Sequence, residues 1–171
     1  MSDRSSAAKH PVSALLTGPY GHPFHPILVT IPIGAWVASF VFDIGSQAAD
    51  AAYLVKASIW LIVIGIAGAL AAATVGLLDF FAIPPGTPAF RTGLVHLVLN
   101  VLVVAAYVVN ALWRRGSDAD EVAVAVGPIM LSAVSLAALM VSGYLGGKLA
   151  FRYGVRVAEE DDQAEGFEPR R

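Results

Sequence analysis

The run Ala57–Leu78, ASIWLIVIGIAGALAAATVGLL, is 22 residues without a single Asp, Glu, Lys or Arg. A helix of that length crosses the roughly 30 Å hydrocarbon core of a bilayer. Two more such runs follow, Leu94–Trp113 and Val122–Leu145, and one precedes, Ile27–Gly45, whose only charge is Asp43. Buried helices of water-soluble domains rarely reach this length four times in 171 residues. The segments between the runs are short. One of them, Asp79–Gly93, contains Pro84, Pro85, Gly86 and Pro88, which break helices. Short links join antiparallel neighbours, so the pattern predicts an all-α integral membrane four-helix bundle, up-down-up-down, with spans at about 27–45, 57–78, 94–113 and 122–145.

Composition agrees. Apolar residues make up 57% of the chain and charged residues 14%, and the mean hydropathy is +0.69. Ordinary soluble domains carry about 25% charge. The net charge of −2 offers no basic field for a phosphate backbone, so nucleic acid is not expected as a partner, whereas the lipid bilayer is. With no cysteine, disulfides, thiolate metal sites, iron–sulfur ligation and thiol catalysis are excluded. No nucleophile–base pattern, phosphate loop or zincin motif is present, and no catalytic role is assigned.

A polar leader over 1–21 without a continuous apolar stretch predicts no cleavable signal peptide, the first span acting as its own insertion signal. The four-helix transmembrane domain is expected over 22–157 and an acidic flexible C-terminal tail over 158–171. Arg4, Lys9, Arg91, Lys148, Arg152 and Arg156 fall near the spans on the side of the termini, against Lys56, Arg114 and Arg115 on the other. The excess predicts both termini in the cytoplasm.

Each span carries one polar or small-residue stripe. In the third, His96, Asn100, Tyr107 and Asn110 share an arc of about 80° at helical spacing. In the first, Pro32, Trp36, Ser39 and Asp43 share a face, and Pro32 predicts a kink. The second and fourth spans present Gly, Ala and Ser stripes suited to close helix packing, and Gly143-x-x-x-Gly147 is a weak signal for a homo-oligomer. Asp43 is expected either to meet water near its span end or to be partnered by Asn110 and Tyr107.

Three of the four histidines converge by topology. His22 and His25, in His22-Pro23-Phe24-His25-Pro26, precede the first span, and His96 opens the third. Both spans start on the same membrane side, as do Asp79 and Arg91. Pro26 is expected at the first position of the helix. Asn100, one turn after His96, is placed to orient its ring. Three chemistries fit. Histidines from two helices can ligate haem b axially, with Arg91 pairing a propionate and Asn100 and Asp79 supporting the ligands. Imidazoles of His22, His25 and His96 with the carboxylate of Asp79 can hold zinc, copper or iron. A His–Asp–His chain can relay protons or serve a small solute. The alternative is that the histidines only cap and pack a structural or anchoring bundle.

At these residues the chain resembles a bacterial membrane family, domain of unknown function 2231. The resemblance runs through Gly21-His22-Pro23-Phe24-His25-Pro26-Ile27-Leu28-Val29, Pro32-Ile33-Gly34-Ala35-Trp36, Asp43, Gly76-x-x-Asp79, Arg91-x-Gly93-x-x-His96-x-x-x-Asn100, Gly143-Tyr144-Leu145-Gly146-Gly147 and Gly154-Val155-x-Val157. It covers roughly residues 18–157. It implies a redox setting and a redox partner protein, because some relatives look fused to Rieske-type iron–sulfur or cytochrome c-type domains. It also implies that Lys148 stands where relatives often carry a histidine, which leaves His22, His25 and His96 as the transferable ligands. The leading expectation is a haem- or metal-binding redox membrane module.

Overall fold

A computed structural model describes residues 8–10, 17–18, 21–49, 51–117, 122–165 and 167. The rest of the expected leader and tail, together with Asp50 and residues 118–121 in the connections, lies outside them. The described chain forms six helices: α1 (Phe24–Leu28), α2 (Thr30–Ala49), α3 (Ala52–Phe81), α4 (Pro88–Ser117), α5 (Val126–Phe151) and α6 (Glu160–Glu165). Four stretches, Phe24–Ala49, Ala52–Phe81, Pro88–Arg115 and Val126–Phe151, are long and apolar enough to cross a membrane. At 26 to 30 residues they reach about 39–45 Å, beyond the hydrocarbon core, so their ends stand in the interface or the helices tilt.

Local chemistry sets the ends. Thr87 caps α4, its Oγ1 accepting the Phe90 N–H at 3.1 Å, and Pro88 takes the first helical position. Gly86 ahead of them adopts φ +81°, open only to glycine at no steric cost. The first span begins earlier than the sequence suggests. Pro23 caps α1 in extended geometry, and Pro26 is the third helical residue rather than the first. Both prolines sit where no intrahelical N–H bond is due. His25 is therefore helical despite the proline after it. The helix is interrupted where Pro32 predicts a kink: α1 ends at Leu28, the residue whose carbonyl Pro32 leaves without a donor. Thr30 bridges the break by donating from Oγ1 to Ile27 O at 2.7 Å.

Packing joins α2 to α3 and α4 to α5 most extensively, giving two helical hairpins, with further contacts between α3 and α4 and between α2 and α5. Trp36, Ile62, Ala69, Val103, Tyr107 and Ala111 form the core cluster. Large apolar side chains such as Val41, Trp60, Leu70, Val101, Leu102 and Met140 point outward. In water such a surface would aggregate; in a bilayer it is the lipid face.

The first helices of the two hairpins carry corresponding residues at one fixed offset. Asp43 and Arg114 are 71 residues apart, and the same offset relates His25 to His96, Trp36 to Tyr107 and Ser39 to Asn110. Three of these pairs touch across the bundle: the imidazoles of His25 and His96, the stacked rings of Trp36 and Tyr107, and the charges of Asp43 and Arg114. Equivalent residues meet each other only on a two-fold axis. An approximate axis therefore runs along the bundle, with the histidines at one end, the aromatic stack in the middle and the ion pair at the other end.

Candidate functional site

The histidine end is built from α1, α3, α4 and α5. His25 Nδ1 lies 2.9 Å from Ala72 O on α3, and His96 Nδ1 lies 2.9 Å from Ser142 O on α5. A ring nitrogen facing a carbonyl must carry the proton, so each Nδ1–H donates, and in the neutral ring Nε2 is the nitrogen with the lone pair. One turn beyond each carbonyl a glycine makes room for the ring. A Cβ on Gly76 would come within 2.7 Å of His25 Cε1 and Nδ1, and one on Gly146 within 3.2 Å of His96 Cε1. The two imidazole centroids are 6.4 Å apart with planes at 79°.

Asn100 is placed as its spacing predicts, against His96. Its Nδ2 approaches three acceptors: His96 O at 2.8 Å, Ser142 Oγ at 2.8 Å and His96 Nε2 at 3.1 Å. The amide has two hydrogens. The two shorter bonds take both, which leaves the Nε2 lone pair the least engaged of the three. Asn100 thus fixes the His96 backbone and Ser142 on either side of the ring.

Of the other expected site residues, Asp79 lies within electrostatic reach of His25. His22 is partly buried, and its carbonyl accepts the Gly18 N–H at 2.9 Å. Arg91 is exposed on the first turn of α4. Asp79 faces Arg156, whose Nε is 3.0 Å from Asp79 Oδ1. This is a charge contact rather than an aligned hydrogen bond, because the same Nε has no hydrogen-bond partner. Among the described residues, no three of His, Cys, Asp and Glu gather as a cluster able to hold a metal ion.

Arg156 is the residue at this end that sequence reasoning missed. It lies beyond the last span, in the left-handed region with φ 59°. Its N–H donates to Ala8 O at 3.0 Å, its Nη2 reaches Thr17 Oγ1 at 3.3 Å, and Lys9 pairs with Glu159 at 2.9 Å. The described parts of the leader and the segment after α5 therefore close over Asp79 at the histidine end. A non-glycine residue at positive φ is held there by its surroundings; here the holding contacts are those to Asp79, Ala8 and Thr17.

The opposite end corrects two expectations. Arg114, counted from sequence among the loop charges, is fully buried, and Asp43 is equally dry. Arg114 Nη2 and Nη1 bond Asp43 Oδ2 at 2.6 Å and Oδ1 at 2.7 Å. Ser58 Oγ also donates to Asp43 Oδ1. Asn110 reaches Arg114 rather than Asp43, its Oδ1 accepting from Arg114 Nε at 2.6 Å, while its Nδ2 donates to Pro128 O and Ser132 Oγ, each at 2.9 Å. The Tyr107 hydroxyl is buried without a hydrogen-bond partner among the described residues. An intramembrane carboxylate is stable only when its charge is met, and the bidentate guanidinium meets it.

A family model described as "predicted membrane protein (DUF2231)" matches residues 21–159, which takes in His22, His25, Asp79, His96 and Arg156. No curated protein and no solved structure matches the chain. The match covers most of the chain and all four spans, so the chain belongs to the DUF2231 family of predicted membrane proteins.

Proposed function

We propose that the chain is a redox module of the bacterial inner membrane that holds one haem b group between His25 and His96. The observation that carries this reading is the pairing of two imidazoles from facing helices, each with Nδ1 committed to a backbone carbonyl. Histidines that bind a metal through Nε2 commonly donate Nδ1–H in this way, which fixes the tautomer and aims the ring.

Donor number favours haem over a bare ion. A structural zinc site takes four protein ligands, and the ring pair supplies two. Haem brings four nitrogens of its own and asks the protein for two axial ligands. When bound, it would supply one-electron chemistry. His25 and His96 would hold it, Ala72 and Ser142 would aim the rings, and the contacts around Arg156 would limit water at that end. Arg91, exposed as it is, would meet a propionate only at the surface. Such a module passes electrons to and from a redox partner protein, and the excess of Lys and Arg on the side of the termini supports a cytoplasmic placement of both.

Protein produced with haem supplied and purified in detergent tests the reading. The expected result is a Soret band with one haem per chain, lost in both His25→Ala and His96→Ala while size-exclusion profiles stay unchanged. Colourless wild-type protein, or both variants keeping the wild-type spectrum, would overturn it. Colourless protein whose proteoliposomes show a His25-dependent proton flux would instead favour the relay chemistry.

A further inference from the structure

We propose that the end of α5 binds the phosphodiester headgroup of an anionic phospholipid. The site is a surface notch of about 690 Å3 lined by Tyr144, Gly147, Lys148, Phe151 and Arg152. It lies away from the ring pair, at the same end of the bundle. Tyr144, Lys148 and Arg152 recur every fourth residue, so they form one stripe along the helix. The stripe runs from an aromatic ring deeper in the membrane to two cations at its edge.

Three features point to this ligand. Neither Lys148 nor Arg152 pairs with a carboxylate among the described residues, whereas Lys9 and Arg156 each do. Lys148 is held in place, its Nζ 5.6 Å above the centroid of the Tyr153 ring, a cation–π contact that leaves its charge uncompensated. Tyr144 and Phe151 are 74% and 92% exposed, which places aromatic surface beside the cations where the first carbons of acyl chains run. A phosphodiester between an ammonium and a planar guanidinium one turn apart meets both charges, and its acyl chains cover the rings. Tight packing does not explain Tyr144, Phe151 and Arg152, which are exposed.

The test compares lipid retained by the purified protein in mixed micelles containing equal phosphatidylglycerol and phosphatidylcholine, read by mass spectrometry. Wild type is expected to retain phosphatidylglycerol in about tenfold preference, each cation near anionic lipid contributing appreciably. The Lys148→Gln/Arg152→Gln variant is expected to lose most of that preference. Lys56→Gln/Arg115→Gln, at the other end of the bundle, is expected to keep it. Inorganic phosphate at equal concentration should not displace the lipid. Equal retention of both lipids by wild type, an undiminished preference in Lys148→Gln/Arg152→Gln, or displacement by inorganic phosphate would each overturn the assignment.

Discussion

Asp43 and Arg114 meet in the dry end of the bundle, both fully buried and joined at 2.6 Å. One stands on α2 and the other on α4, at equivalent positions of the two hairpins. Ser58 from α3 and Asn110, tied to Pro128 and Ser132 of α5, complete the set. The contact therefore ties together α2, α3, α4 and α5 at the end opposite the histidines. Between apolar helices in a bilayer, polar contacts of this kind select one arrangement among many of similar packing energy.

Removing one partner strands the other charge. Asp43→Ala or Arg114→Ala is expected to cost about 3–5 kcal/mol, while the double variant costs less than the sum of the two. Unfolding in mixed micelles measures all three. The exchange Asp43→Arg/Arg114→Asp should recover part of the loss, because the positions are related by the approximate two-fold axis. Additive single effects would show that the two charges act independently.

Tyr107 offers the opposite sign. Its hydroxyl is buried and unbonded, while its ring stacks on Trp36 with centroids 4.1 Å apart and planes at 9°. Tyr107→Phe keeps the ring and deletes an unsatisfied group that costs about 1–3 kcal/mol to bury. The variant is expected to melt at or above the wild-type temperature. A clear drop would reveal a hydrogen bond to water or to another group at that hydroxyl.

Gly76 and Gly146 each stand behind one of the two imidazoles, but not with equal clearance. A methyl at 76 would press on the His25 ring at 2.7 Å, and one at 146 would touch His96 at 3.2 Å. Gly76→Ala should weaken haem retention markedly and Gly146→Ala only mildly. The ratio of Soret to protein absorbance after purification reads the difference. Equal retention in both variants would mean that ring position is not set by these glycines.

Arg156 and Asp79 should behave as one unit. Asp79→Asn and Arg156→Gln are each expected to speed protease cleavage after residue 151, and the double variant should be no faster than the worse single one. Arg156→Gly relieves the left-handed backbone but also loses the charge, so it should behave like Arg156→Gln. Unchanged cleavage in all of them would remove Arg156 from the role of a clasp.

Much of this was legible in the sequence. The charge-free runs set the spans, because only a lipid-facing helix tolerates such length without charge. The stripe of His96, Asn100, Tyr107 and Asn110 faces the bundle interior as its angular spacing predicts, and His25 joins His96 because an even number of crossings separates them. Arg114 was misplaced because a cation at a span end reads as a loop residue until a carboxylate is found opposite it. Arg156 was invisible because its contacts reach back to Ala8, Thr17 and Asp79, which spacing does not relate. The hairpin repeat had a signal that went unread: His25, Trp36 and Asp43 stand eleven and then seven residues apart, as do His96, Tyr107 and Arg114.

The most direct measurement of the proposed site is the electron paramagnetic resonance spectrum of the oxidised, haem-loaded protein. Two axial imidazoles give a low-spin ferric signal in wild type, and loss of either His25 or His96 should convert it to high spin or abolish it. A low-spin signal that survives both His25→Ala and His96→Ala would contradict a site shared by these two residues.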